Sequence, residues 1–241
     1  MAQGPDLSLD VRRMSFGGRD LFRDLRLSVP AGQVVAVLGP SGVGKTTLLR
    51  IIGGAERQFE GAALVGGQPA HLAPVPGYVF QDARLMPWLD AGQNLRAVAP
   101  TISKARIDEL LRSVNLADQS GTFPHALSGG MQRRLALARA LCVNPGLLLL
   151  DEPFVSLDRT IVRDLQTLFH AVFAAGNPTV VIVSHDPEDA ARLADRAVLL
   201  DGRPARIVAD FPLPGAARSR DAATILHLSE MIRNVGSEVT S

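Results

Sequence analysis

The sequence predicts an α/β fold: a mostly parallel β-sheet covered on both faces, preceded by a strand-rich N-terminus and interrupted by a helical insertion. Three observations predict it. The runs VVAVL at 34–38, LLLL at 147–150 and VVIV at 180–183 have the length and composition of strands buried on both faces. Helical patterns alternate with these strands, as in TIVRDLQTLFHAVFAAG and PEDAARLAD, which favours parallel pairing. Between about Pro87 and Leu141, strand patterns give way to helices with short connectors.

In chain order, LSLDVRRMSF reads as a strand, then LRLSV after a turn at Gly17–Gly18. Leu25, Leu27 and Val29 alternate as a half-buried strand requires. VVAVL leads into a glycine loop and the helix KTTLLRIIGG, which is expected to stop at Gly53–Gly54. In KARIDELLRSVNL, Ile107, Leu110, Leu111 and Val114 mark one helical face. Strands return with LLLLDE, TVVIVSH and RAVLLDG. Beyond Pro212 and Pro214, a last helical stretch carries Ile225, Leu226, Leu228, Met231 and Ile232, too short for a separate regulatory domain.

Composition narrows the function. The chain has 241 residues, 46% apolar and 20% charged, as in ordinary globular proteins. A net charge of +1 argues against a broad basic surface, so no nucleic-acid partner is expected. Cys142 is the only cysteine, which excludes an intrachain disulfide or thiolate cluster; it reads as core filler in a helical run. No apolar run approaches the ~18–20 residues of a membrane span, and the N-terminus has no apolar leader pattern.

The chemistry is carried by GPSGVGKTT. Gly39, Pro40, Ser41, Gly42, Val43, Gly44, Lys45 and Thr46 match G-x-x-x-x-G-K-[ST] between a strand and a helix, the context of a P-loop NTPase, with Thr47 following. The glycines let the backbone approach phosphates, Lys45 supplies a cation for the β- and γ-phosphates, and Thr46 a hydroxyl for Mg²⁺. In LLLLDEP, Asp151 at a strand end suits Mg²⁺, and Glu152 suits a general base polarising water. His185, after TVVIVS, is either a structural histidine or a contact to the γ-phosphate and attacking water. Gln81, in YVFQDARL, is a further candidate for sensing Mg²⁺ or water. A second anion-facing helix start stands far downstream, where Ser128, Gly129 and Gly130 precede a helix bearing Arg133, Arg134 and Arg139.

Together these stretches resemble the ATP-binding subunit of ABC transporters. LSGGM, comprising Leu127, Ser128, Gly129, Gly130 and Met131, resembles the ABC signature; FQDARLMPW resembles the Q-loop; Ser156, Leu157 and Asp158 resemble the D-loop. His185 matches the switch histidine, and Phe16 takes the place of the aromatic that stacks on adenine. The resemblance implies one domain over 1–241. Residues 1–86 and 142–213 would form the RecA-like core with an N-terminal antiparallel β-subdomain, 87–141 the helical subdomain, and 214–241 a helical tail. It further implies a head-to-tail homodimer, in which each ATP lies between one chain's phosphate loop and the other's signature.

FQDARLMPWLDAGQNL, LSGGMQRR and RPARIVADFPLP look most like the nitrate/sulfonate/taurine-type import ATPases. That likeness implies ATP and Mg²⁺ as cofactors, transmembrane permease subunits as partners and, indirectly, a substrate-binding protein. The expected place is peripheral, on the cytoplasmic face of the inner membrane. Leu85, Met86, Trp88 and Leu89 either receive a cytoplasmic helix of the permease or pack the helical lobe. Gly92, Gln93 and Ser156 depart from the commoner residues at their positions, and a glycine disfavours a helix start. Rival readings are a non-transport ABC ATPase working on nucleic acid or ribosomes, an exporter ATPase, and a P-loop kinase; LSGGM with SLD argues against the last.

Overall fold

The computed structural model describes residues 4–240. It begins with β1 (Leu7–Phe16), β2 (Arg19–Val29) and β3 (Val34–Leu38), then α1 (Lys45–Ile52), β4 (Glu60–Val65), β5 (Gln68–Pro69) and β6 (Gly77–Val79). Three helices follow, α2 (Ala91–Val98), α3 (Lys104–Ser113) and α4 (Gly129–Leu141). The chain then alternates through β7 (Leu147–Asp151), α5 (Arg159–Gly176), β8 (Thr179–Ser184), α6 (Pro187–Leu193) and β9 (Arg196–Asp201), and finishes with β10 (Arg206–Pro212) and α7 (Ala222–Thr240).

Two sheets result. The larger has the order β10-β9-β3-β8-β7-β6, parallel from β9 to β6, with β10 as an antiparallel edge. The smaller is antiparallel, β2-β1-β4-β5. The central strands β3, β7 and β8 are buried along their whole length, which is why their sequences run apolar without alternation. Their side chains still alternate in direction. Val35, Val37, Leu149 and Val181 enter a core shared with α1 and the antiparallel sheet. Val34, Ala36, Leu148 and Ile182 enter a core shared with helices α2 to α7. One face is thus covered mainly by helices, the other by α1 and a second sheet.

Strands β4, β5, β6 and β10 were not legible in sequence. The strand β5 has two residues and β6 three, too short for a period, and β10 is an edge strand with mostly intermediate burial. Cys142 follows the last turn of α4 as its cap, partly buried against the larger core. Gly92 is accommodated rather than adverse. A Cβ there would lie 2.6 Å from Ser120 Oγ, and its amide donates to Ser120 O. The start of α2 is secured by a reciprocal cap, in which Asp90 Oδ1 accepts from Gln93 N and Gln93 Oε1 accepts from Asp90 N.

Candidate nucleotide site

The glycine loop joins β3 to α1, and its shape is dictated by what lies beneath it. Gly42 and Gly44 have φ of 80° and 110°, open to glycine at little cost. A Cβ on Gly44 would stand 2.7 Å from the Phe22 ring, and one on Gly39 2.5 Å from Leu200 O. Val43 is buried and pins the loop, leaving Pro40, Ser41 and Gly42 exposed. Lys45 opens α1, its side chain almost wholly buried. Its Nζ donates to Gly39 O at 2.8 Å and Pro40 O at 3.2 Å, and lies 3.3 Å from Glu152 Oε1. The ammonium is thus held by two loop carbonyls and paired with one carboxylate within the chain.

Asp151 ends β7, buried, and its Oδ1 accepts from Thr46 Oγ1 at 3.0 Å. Burial raises its carboxyl above the ordinary carboxylate range, against the opposing pull of the Thr46 bond. A hydroxyl and a carboxylate converge here, the hard oxygen donors Mg²⁺ prefers. Among the described residues no group of three or more His, Cys, Asp or Glu side chains is placed to hold a metal.

Glu152 adopts the left-handed region, φ 47°, a costly conformation for a non-glycine residue. Its amide donates to Val183 O at 2.9 Å, fixing the end of β7 to that of β8. The carboxylate then bridges two groups, Lys45 through Oε1 and His185 Nδ1 through Oε2 at 2.7 Å. Phe16, half exposed, and Gln81 complete the same cleft of about 540 Å³ together with Ser41, Thr46, Thr47 and His185.

The signature stands elsewhere. Ser128 caps α4, its Oγ accepting from Met131 N at 3.3 Å. Leu127 is buried, Met131 partly so, and Gly130 lies against α5, where a Cβ would be 3.1 Å from Ile161. Gly129 faces open space. Gly129 lines a separate concavity with Asp82, Leu85, Arg133, Ser156 and Leu157. The N-terminal ends of α1 and α4 therefore open onto different clefts. Ser156 has φ 62°, a conformation that glycine would adopt without the Cβ penalty, and Asp158 precedes α5 without a side-chain cap bond.

Three residues outside the predicted set organise the connector between core and helices. Arg139 donates to Arg84 O at 2.6 Å and Ala83 O at 2.8 Å, and Arg133 to Phe80 O at 3.1 Å. Arg134 pairs instead with Asp164. Of the arginines after the signature, two hold the Gln81 segment by its carbonyls. Asn94, fully buried, accepts from Met86 N and donates to the carbonyls of Met86, Leu89 and Asp90. Nothing in its sequence context distinguishes this asparagine from a solvent-facing one. The turn it holds carries Trp88, which is 71% exposed, so packing of the helical lobe does not account for Trp88. Leu85 does pack partly against the core, and Met86 and Leu89 are half-buried.

Comparison with known proteins matches residues 22–155 to the family model described as ABC transporter. The aliphatic sulfonates import ATP-binding protein SsuB of Zymomonas mobilis is 39% identical over 209 residues, covering 86% of this chain and 87% of that protein. The protein of the same name from Pectobacterium atrosepticum is 38% identical over 235 residues, covering 96% and 87%. Among solved structures, a dimeric post-hydrolysis state of the ATP-binding cassette MJ0796 bound to ADP and Pi aligns with a TM-score of 0.75 at 27% identity. It covers 88% of this chain and 100% of that one.

Proposed function

Because the chain belongs to the ABC transporter family, we propose that it is the ATP-hydrolysing subunit of a membrane importer for small sulfonate-type anions. The observation that carries this reading is the division of labour between two clefts. Lys45, Thr46, Glu152 and His185 line one, with Asp151 bonded to Thr46, while Gly129, the residue after Ser128, lines the other. In a head-to-tail homodimer, each signature would complete the partner's nucleotide cleft.

Within that cleft the loop amides and Lys45 bind the phosphates, and Phe16 presents a ring face to the base. Thr46 and Asp151 would hold Mg²⁺, with Gln81 beside them; the ion neutralises phosphate charge when bound. Glu152 accepts the proton of the attacking water, and His185 fixes the orientation of its carboxylate. Most of the work is positioning and electrostatics, as phosphoryl transfer requires. Leu85, Met86, Trp88 and Leu89 form the contact with a permease subunit, and the Gln81 segment links that contact to the γ-phosphate end of the cleft. The helical segment 87–141 moves with the Gln81 segment relative to the core of 1–86 and 142–213, with 214–241 as a tail. The importer's substrate-binding protein acts on the far side of the permease. The chain itself sits peripherally on the cytoplasmic face of the inner membrane, and no described helix is long and apolar enough to cross it.

The test is a mixed dimer. Lys45→Ala is placed in one copy and Ser128→Arg in a differently tagged copy. With the signature acting across the dimer, one composite site collects both lesions and the other is intact, so one site still takes ATP. The reciprocal dimer, both changes on one chain with wild type, leaves a lesion in each site. ATP photo-crosslinking at each site reads the outcome. If the reciprocal dimer keeps a competent site and the split-lesion dimer does not, the head-to-tail reading is wrong.

A further inference from the structure

His185 stands on the turn between β8 and α6, and what holds this turn lies behind it. Ser184, 1% exposed, donates from Oγ to Asp189 Oδ2 at 2.6 Å and accepts from Asp186 N at 3.0 Å. Asp186 Oδ1 in turn accepts from Glu188 N, so the first turn of α6 is laced to the end of β8. Asp189 is 7% exposed and does not line the nucleotide cleft. It borders a neighbouring cavity of about 420 Å³ with Arg159, Arg163, Glu188 and Arg192. On the other side of the turn, the His185 ring reaches Glu152.

We propose that the buried Ser184–Asp189 hydrogen bond is a latch that holds His185 against Glu152, making Asp189 a positioning residue for hydrolysis. The inference rests on the proposed hydrolytic role of His185. A freely rotating Ser184 hydroxyl would leave the Asp186 amide as the hydrogen bond that Ser184 still makes to this turn. The ring of His185 is exposed, with little packing of its own to fix it, so its aim depends on the backbone beneath it. Burial of a carboxyl so close to Asp186 and Glu152 is costly, and Ser184 offsets part of that cost.

The test measures kcat and ATP affinity in the dimer for His185→Ala, Asp189→Ala, Asp189→Asn, Ser184→Ala, Ser184→Thr and the Asp189→Ala/His185→Ala pair. Asp189→Ala and Ser184→Ala should lower kcat about tenfold, short of the ~100-fold scale for losing a group that assists proton transfer. ATP affinity should stay within about twofold, because no group of the latch faces the nucleotide. Asp189→Asn and Ser184→Thr keep the hydrogen bond and should recover most of the turnover. In the His185→Ala background, Asp189→Ala should cost nothing further. Equal losses for Asp189→Ala and Asp189→Asn, or an undiminished loss on top of His185→Ala, would overturn the latch. Should Asp189→Ala fail to fold, Ser184→Ala removes the same bond with a smaller change of volume. Full turnover by His185→Ala would instead sink the hydrolytic role of His185, and the latch with it. A slow His185→Ala beside a fully active Ser184→Ala would sink the latch alone.

Discussion

Replacing Asn94 by alanine removes the fastener of the Trp88 turn. The amide oxygen accepts one bond, from Met86 N at 2.9 Å. The amide nitrogen reaches the carbonyls of Met86 at 3.2 Å, Leu89 at 3.0 Å and Asp90 at 3.1 Å. It has two protons, so one is shared, and the side chain makes the equivalent of three bonds. At a net ~1 kcal/mol each, the substitution should cost about 3 kcal/mol, less what the exposed turn regains from water. A loss of about 2 kcal/mol is expected, seen in urea as a lower midpoint at unchanged slope. Trp88 is the chain's only tryptophan, so fluorescence anisotropy reports this turn alone. Its anisotropy should fall in native buffer, well below the unfolding midpoint. Trp88→Ala is the comparator. The exposed ring should cost under ~0.5 kcal/mol of stability but ~2 kcal/mol of permease capture. If Asn94→Ala unfolds within ~0.5 kcal/mol of the parent and Trp88 anisotropy is unchanged, the turn is held by something else.

Two further outcomes follow from the charges around the cleft. Glu152→Gln should slow hydrolysis at least ~100-fold while ATP binding tightens, since the ammonium of Lys45 loses its carboxylate partner and turns to phosphate; near-parental turnover with Mg²⁺ would exclude Glu152 as the base. Asp189→Asn should change the pH dependence of stability. Burial, with Asp186 and Glu152 nearby, pushes the Asp189 carboxyl up from 3.8 to about 7. The folded chain thus keeps a proton that the unfolded chain has released. Stability falls as pH rises from about 4 to about 7, and the loss is complete above that. Asparagine has no such proton, so the variant should gain on the parent above pH 7, by at most ~4 kcal/mol, and the gain should fade towards pH 4. Urea unfolding at pH 5 and pH 8 checks it; a pH-independent difference would remove Asp189 as the titrating group.

How much was legible depended on whether a residue's role showed in its neighbours along the chain. The Gly39–Thr46 loop, the Asp151–Glu152 pair and the buried strands were readable because strand, loop and helix are consecutive. The turn that carries His185 was half-readable. His185 itself follows a visible strand, but Ser184 and Asp189 look like ordinary polar residues until α6 folds back and buries them. Asn94, Arg133 and Arg139 hold main-chain amide and carbonyl groups, which every residue has, so their positions along the chain do not announce these contacts. The short strands from Glu60 to Val79 were missed because β5 and β6 take their stability from pairing, with too few residues to show a period. Gly92 would be read as a weak helix start by propensity alone; only the approach of Ser120 shows why it stands there.

The manner in which the connector is tied down bears on how such a chain diversifies. Arg133, Arg139 and Asn94 grip the stretch from Phe80 to Asp90 through its main-chain groups. Main-chain grips are indifferent to which side chains the stretch bears. Met86, Trp88 and Leu89 can therefore be exchanged for other residues while the loop keeps its path and the ATP machinery keeps its geometry. A duplicated copy of this chain could acquire a new membrane partner by drift at a handful of positions on this turn, without passing through a form that no longer hydrolyses ATP.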